Sequence, residues 1–390
     1  MSNLLDPITI GARFDLRNRV VMGSMTRNRC VDDNKPGPAQ IKHYADRAKD
    51  GTGLIVSEGI FIDWTGCDWQ YTPVMITDDH AAAWKRVTDA VHEVGGKIFM
   101  QAWHAGRCAH DEMPIAKEHS VQVLAPSAIK ANAGEYHDLP GRPGHTANVH
   151  AIEDPKTIIE TYRHACTLAK RAGFDGVELL AQGGYLAQQF LNSRANKRKD
   201  SYGGTVENRC RFILETIDAI TKIFEGPGAI CVKISPTDYL NDSMVGFDEM
   251  KETYTYLINE MVKRRVGIIT LCRRGTSTGD LLNRPKEFSI PEGYDPVLDL
   301  GKLVKFPGSP SRLMANNDYT VGEANRLIKE GKIDMITFGR PFIYNPDVIH
   351  RIRHGIPFAV NNRTNAVLYG PYKIPDENYN DWPAAAILGV

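Results

Sequence analysis

The 390-residue sequence predicts an α/β protein, a single-domain (β/α)8 barrel. Three observations carry this. Short apolar runs alternate with amphipathic stretches along the whole chain, eight times in all. Polar or turn-forming residues recur where the apolar runs end, which is where a barrel of this kind builds its site. No shift in composition and no low-complexity linker divides the chain, so residues 1–390 form one domain. A doubly wound sheet would want a GxGxxG motif after its first strand, and the sequence has none there.

In chain order, residues 8–16 alternate weakly around Gly11 and Ala12, the pattern of a small hairpin able to plug one end of a barrel. A first buried strand lies within 18–27 and ends in polar Thr26. Residues 37–50 form a helix with Pro38 near its start and Ile41, Tyr44 and Ala45 on one face. Strand two is 53–59, helix two 77–94 with Asp78 and Asp79 in its first turn, and strand three 97–103. A stretch rich in Gly and Pro, 104–153, has no sustained periodicity; after strand three it is expected to be a structureless lid on the catalytic face. Helix three is 155–172 and strand four 174–181. Thr205 is an N-cap candidate for helix four, 206–224. Strand five (229–235), helix five (247–264) and strand six (266–271) precede a second loop, 273–295. A short helix (297–304), strand seven (312–316), helix seven (321–330), strand eight (333–338) and a last helix from about 345 complete the series.

The totals exclude several classes. Lys plus Arg and Asp plus Glu are both 47, so nothing marks a polyanionic partner such as nucleic acid. The N-terminus lacks a basic region followed by an apolar run, and no apolar run has the roughly 18 residues of a membrane span. Seven scattered cysteines without a CxxC argue against a zinc ribbon or a disulfide framework. A cytoplasmic protein, monomeric or homodimeric and acting on a small molecule, is expected.

The strand ends carry Thr26, Gly59, Gln101, Tyr185, Lys233, Asn317, Asp318, Gly339 and Arg340. Gln101 donates and accepts, which suits a ring edge of alternating C=O and N–H groups. Lys233 is a fixed cation for a ring anion, and Thr26 offers a hydroxyl. The ends of strands seven and eight, with Arg340, stand where barrels commonly hold phosphate. A ring, a linker and a phosphate describe flavin mononucleotide (FMN).

The segment DSYGGTVENRCRF (200–212) resembles the DxYGGSxENRxRF signature of the old yellow enzyme family, FMN-dependent ene-reductases on a (β/α)8 barrel. Further matches are spread along nearly the whole chain: NRVVMGSMTRNR, QAWHAGR, VKISP, FGRPFIYNPD, LYG and NYNDWP. The resemblance implies that Ser24, Met25, Thr26, Gly59, Gln101, Lys233, Asn317, Asp318, Gly339 and Arg340 bind FMN. It makes Tyr185 the proton donor, Tyr369 part of the substrate pocket, and NADPH or NADH the reductant. Thr26 places the chain in the threonine-bearing subgroup. Lys233 stands where the family usually has arginine, keeping the charge and losing the fork. Asn317 and Asp318 replace the usual glycines, so backbone N–H groups would take the phosphate with the Asp318 carboxylate turned away. His104 is read as structural or substrate-lining, since no second ligand sits at metal spacing.

One departure bears on chemistry. The family usually reads ExHxxNGY or ExHxxHGY, and its pair of side chains donates two hydrogen bonds to the substrate's oxygen. Here Leu180 and Gly183 occupy those positions and neither donates. Loss of one such donor costs roughly 3 kcal/mol. Gln182 and His104 are the candidate replacements. The sequence therefore implies reduction of an activated C=C bond in a specialised, larger or more apolar metabolite. The alternatives are a flavin-dependent desaturation, double-bond isomerisation or cyclisation of a native metabolite, and a non-catalytic flavin binder. On this reading Leu180→His with Gly183→Asn should raise activity on simple enones.

Overall fold

Why the chain closes on itself follows from its strands, which are mostly apolar and buried on both faces and so demand cover on each side. The computed structural model describes residues 3–385 except 12–13, 133–138, 140, 142–143, 274–284, 364–365, 371, 373 and 375. Strands β1 (Ile8–Ile10) and β2 (Phe14–Leu16) form an antiparallel hairpin. Phe14 packs edge-on against Phe99 with ring centroids 5.8 Å apart, and Arg312 reaches the Thr9 carbonyl. The hairpin thus plugs the N-terminal end of the barrel.

The first barrel strand, β3 (Val20–Met22), is followed by α1 (Pro38–Lys49), β4 (Leu54–Phe61), α2 (Asp78–Glu93) and β5 (Ile98–Trp103). After an excursion come α4 (Pro155–Arg171), β8 (Gly176–Ala181), α5 (Leu186–Leu191), α6 (Val206–Ile223), β9 (Ile230–Ile234), α7 (Phe247–Lys263) and β10 (Ile268–Cys272). The series ends with α8 (Pro296–Asp299), β11 (Arg312–Asn316), α9 (Val321–Lys329), β12 (Met335–Phe338), α10 (Pro341–Tyr344), α11 (Val348–His354) and α12 (Ala366–Tyr369). Eight parallel strands close in the order β3-β4-β5-β8-β9-β10-β11-β12. All eight residues of β4 are buried. Helix starts are capped as their sequences ask: Thr77 accepts from His80 N–H, Asp154 from Lys156 N–H at 2.9 Å, and Thr205 from Asn208 N–H at 3.3 Å.

Two expectations are corrected. The first strand is far shorter than 18–27: its last ladder bond is Gly23 N–H to the Phe338 carbonyl, 2.9 Å. The chain then leaves the sheet, freeing residues 24–26 to line a cavity. The excursion 104–153 is not structureless. It contains α3 (Pro114–Glu118) and the parallel pair β6 (Val123–Ala125) and β7 (Val149–Ala151). Met113, Ile115, Val123, Ala125 and Val149 build a second small core with Phe61, Trp103 and Leu180. Aperiodic sequence hid it because its elements are three to five residues long. Much of the loop 273–295, residues 274–284, lies outside the described residues. No helix among the described residues is long and apolar enough to cross a membrane.

Candidate active site

At the C-terminal ends of the strands lies a cavity of about 390 Å³, within the range of small-molecule sites. Its walls are Ser24, Met25 and Thr26 after β3, Gln182 after β8, Lys233 on β9, Cys272 on β10, residues 316–319 after β11, residues 337–341 at the end of β12, and Ile343, Leu368 and Tyr369. Most of the residues singled out in the sequence therefore meet at one place. They do so because the alternation of a strand points every second side chain into the barrel.

Beneath the cavity runs a polar layer. Ser24 Oγ donates to Gln101 Oε1 at 2.8 Å, and Gln101 Nε2 donates to Glu178 Oε1 at 2.6 Å. The Cys231 thiol donates to Glu178 Oε2 and lies 3.3 Å from Thr270 Oγ1. Gln101 is thus held with its amide orientation set, buried below the cavity lining. Gly59 is also below it: paired with Gln101 in the ladder, its Cα faces the Trp103 indole, and a Cβ there would stand 2.5 Å from Trp103 Cε3. Its small size serves that packing.

The cations are poised differently. Lys233 is only 5 % exposed, yet makes no hydrogen bond or ion pair with another described residue. A buried ammonium without a partner is costly, so the cavity is built for something anionic or strongly polar. Arg340, exposed at the cavity edge, likewise has no ion pair among the described residues. Opposite it the backbone turns through two left-handed residues, Asn317 (φ 84°) and Asp318 (φ 55°). Asn and Asp tolerate this region better than other side chains, so the turn a glycine pair would make is kept. Asp318 is exposed and its carbonyl accepts from Arg273. A buried cation for a ring, a fixed amide, and a cationic turn at the strand ends suit the two ends of FMN.

The end of β8 differs most from expectation. Gly183 N–H donates to Asp238 Oδ2 at 2.7 Å, Gly184 N–H to Gln188 Oε1 at 2.8 Å, and Leu186 N–H to the His104 carbonyl at 3.0 Å. Leu180 belongs to the small core with Trp103. The Cys272 thiol donates to Gln182 Oε1 at 2.8 Å, leaving the Gln182 Nε2 amino group without a partner among the described residues. Tyr185 is half-buried, its ring edge-on to Trp103 at 4.8 Å. Its hydroxyl has no hydrogen bond to a described residue, and it stands beside the cavity, not in its lining. Burial, then the nearby Asp68 carboxylate, hold the phenol well above its ordinary 10.

His104 is removed from the role of replacement donor. Its Nδ1 accepts from Gly106 N–H at 3.0 Å and its Nε2 lies 3.2 Å from Thr65 Oγ1, so both nitrogens are used inside the fold. Burial pulls its pKa down to about 4, against the pull of Asp63. With the unfolded value at 6.5, the unfolded chain binds more protons between these limits. His104 therefore contributes stability above pH 6.5 that is lost as pH falls towards 4, about 3 kcal/mol for the full shift. Denaturant melts at pH 7 and pH 4.5 check this: the loss should shrink in His104→Gln, and equal losses in both proteins would refute it.

Gly183 carries a second correction. At φ 72°, a Cβ there would stand 2.7 Å from the Tyr185 ring. Asn tolerates the backbone but its side chain cannot enter without moving Tyr185. Leu180→His with Gly183→Asn is therefore expected to lower turnover of cyclohexenone, by tenfold or more if a shift of about 1 Å follows. Steady-state kinetics of the double variant decide it.

Sequence reasoning missed Cys272 and Asn316. The strand expected over 266–271 runs one residue further, to Cys272, and Asn316 is the last residue of β11, directly before the turn at Asn317 and Asp318. Both obey the same rule as the residues it found, being polarisable or polar groups at strand ends.

Comparison with known proteins agrees with this geometry. The model of the NADH:flavin oxidoreductase / NADH oxidase family matches residues 3–359. The chain is similar to a probable flavin mononucleotide-dependent alkene reductase of Leishmania infantum, 31% identical over 388 residues and covering 97% of each chain. Among solved structures, the old yellow enzyme homologue from Zymomonas mobilis superposes with a TM-score of 0.84 at 29% identity, covering 98% of this chain and 100% of the other. Morphinone reductase gives 0.83 at 34% identity, covering 98% and 96%.

Proposed function

Since the chain belongs to the NADH:flavin oxidoreductase / NADH oxidase family, the old yellow enzyme family, we propose that this FMN-dependent oxidoreductase reduces the activated C=C bond of a specialised metabolite, with Tyr185 as its acid. The observation that carries the reading is the Tyr185 hydroxyl: unspent, beside the cavity and kept protonated. A flavin binder without C=C chemistry has no use for it. Bound FMN supplies hydride taken from a reduced nicotinamide.

The residues then have separate tasks. Lys233 offers positive charge to the ring, and Thr26 a hydroxyl to its edge. Gln101 is steadied by Ser24 and Glu178. Arg340 and the Asp318 N–H receive the phosphate, the Asn317 N–H being held by Asn316 Oδ1 at 2.8 Å. Met25, Gly339 and Tyr369 complete the walls. The substrate's oxygen takes a hydrogen bond from Gln182, while Leu180, packed in the small core with Trp103, offers no donor. Hydride reaches one carbon, a proton passes from Tyr185 Oη to the other, and the phenolate recovers its proton from solvent. In sum NAD(P)H, H⁺ and C=C become NAD(P)⁺ and CH–CH.

The loss of the donor pair at positions 180 and 183 favours one second reading, a desaturation, isomerisation or cyclisation of a native metabolite. An anaerobic titration separates the two. NADPH should bleach the bound flavin and an enone should restore its colour, one NADPH consumed per enone. Conversion without net NADPH use, or bleaching of the flavin by the substrate itself, supports the second reading, and a flavin that neither a reduced nicotinamide nor any substrate changes leaves a binder.

A further inference from the structure

We propose that Cys272 is a positioning residue of this site: its thiol holds the Gln182 carboxamide by the oxygen, so that the Nε2 amino group faces the cavity as the donor for the substrate's oxygen. The inference rests on the reading of the site as an ene-reductase and identifies which group takes over from the missing pair.

Three observations lead to it. The first is elimination. At the end of β8 the backbone N–H groups of Gly183, Gly184 and Leu186 are committed to Asp238, Gln188 and the His104 carbonyl. His104 is committed to Gly106 and Thr65. Among the described residues at this strand end, the Gln182 amino group is the donor left over once the Tyr185 hydroxyl is assigned as the acid.

The second is the polarity of the contact. Asn316 Nδ2 donates to Cys272 Sγ at 3.6 Å, so the sulfur's lone pairs are engaged from that side. The thiol hydrogen is then directed at Gln182, 2.8 Å away. A thiol facing a carboxamide as donor selects the oxygen, and the amino group must take the other direction. The opposite flip would set the amino hydrogens against the thiol hydrogen.

The third is protonation. Burial pushes the Cys272 thiol up to about 12, with Lys233 opposing. The sulfur therefore keeps its hydrogen throughout the working range, and the orientation of the amide does not change with pH. Asn316, Cys272 and Gln182 form a relay from the end of β11 through β10 to the segment after β8, across the top of β9, which lies between β10 and β8 in the barrel. A flexible glutamine thereby becomes a fixed donor. It reaches the cavity from the end of β8, braced from β10. A single fixed donor suits a ketone or aldehyde oxygen.

The test uses holoenzyme carrying glutamine labelled with ¹⁵N at the side-chain amide. The Gln182 signal is identified by its absence in Gln182→Leu. In Cys272→Ala this signal should shift, and KM for cyclohexenone should rise about five- to tenfold, the weight of one neutral hydrogen bond. Cys272→Ser, which restores a donor of similar length, should return both readings close to wild type. An unmoved amide signal in Cys272→Ala overturns the proposal, as does a serine variant as impaired as the alanine one. Failure of NADPH to bleach the wild-type flavin would strike the ene-reductase reading alone, and the amide signals would still decide the positioning role.

Discussion

Replacing Tyr185 by Phe is expected to leave bleaching of the flavin by NADPH intact and to slow its reoxidation by an enone roughly 10²–10⁴-fold, the usual worth of a placed acid. The substitution is clean for a structural reason. The ring's edge-on contact with Trp103 at 4.8 Å belongs to the phenyl group and stays. The hydroxyl has no hydrogen bond to a described residue, so its removal strands no partner and stability should change little. Burial holds the phenol well above 10, so the acid form is fully loaded at every pH up to about 9. Reoxidation limited by Tyr185 should therefore be flat over that range, whereas a histidine acid would fade near neutrality. Stopped-flow mixing of reduced enzyme with enone measures both. A variant that reoxidises as fast as wild type would show that the proton comes from elsewhere and that Tyr185 is a packed aromatic.

What could be read from the sequence was what depends on pattern. Eight buried strands announce themselves because each is a short, mostly apolar run, and the polar residues at or near their ends stand out against it. Thr26, Lys233 and Arg340 stand out in this way and line the cavity. Positions whose meaning depends on a neighbour from another strand were not legible. Gly59 lies inside β4, two residues short of its end, and its partner is the Trp103 ring on the next strand. His104 has the chemistry of a donor, and only the fold reveals that Gly106 and Thr65 have already used it. Gly183 looks like a vacant asparagine position until the Tyr185 ring is seen lying against it. Cys272 needed the end of its strand to be right to within one residue, which periodicity does not supply. The excursion after β5 was opaque because elements of three to five residues carry too few side chains to show a period.

Tyr379→Ala is expected to destabilise the protein by about 3–5 kcal/mol, as truncation of a buried aromatic does, and to weaken flavin binding with it. The residue follows the cavity-lining Leu368 and Tyr369 in the C-terminal segment and is fully buried. It stacks on His43 with centroids 4.0 Å apart and planes 7° from parallel. The guanidinium of Arg27 sits 4.7 Å from its ring centre and that of Arg29 4.6 Å, with Arg29 also 3.4 Å from the Tyr372 ring. Cation–aromatic contacts of this buried kind contribute about 2 kcal/mol each at best. Arg27 follows directly on Thr26, so the stack fixes the far end of the segment 24–26 that forms one cavity wall. Arg47, buried beside them, donates to the Phe342 carbonyl at 2.9 Å and so ties α1 to the helix that follows Arg340. Loss of the ring would open the cluster to water and loosen both the ring end and the phosphate end of the cavity. The Tyr379 hydroxyl has no hydrogen bond among the described residues, so Tyr379→Phe should be close to neutral. Denaturant melts of both variants with and without added FMN, together with their FMN dissociation constants, test the linkage. If alanine costs no more than phenylalanine, the cluster is held by its hydrogen bonds alone and the C-terminal segment is dispensable to the site.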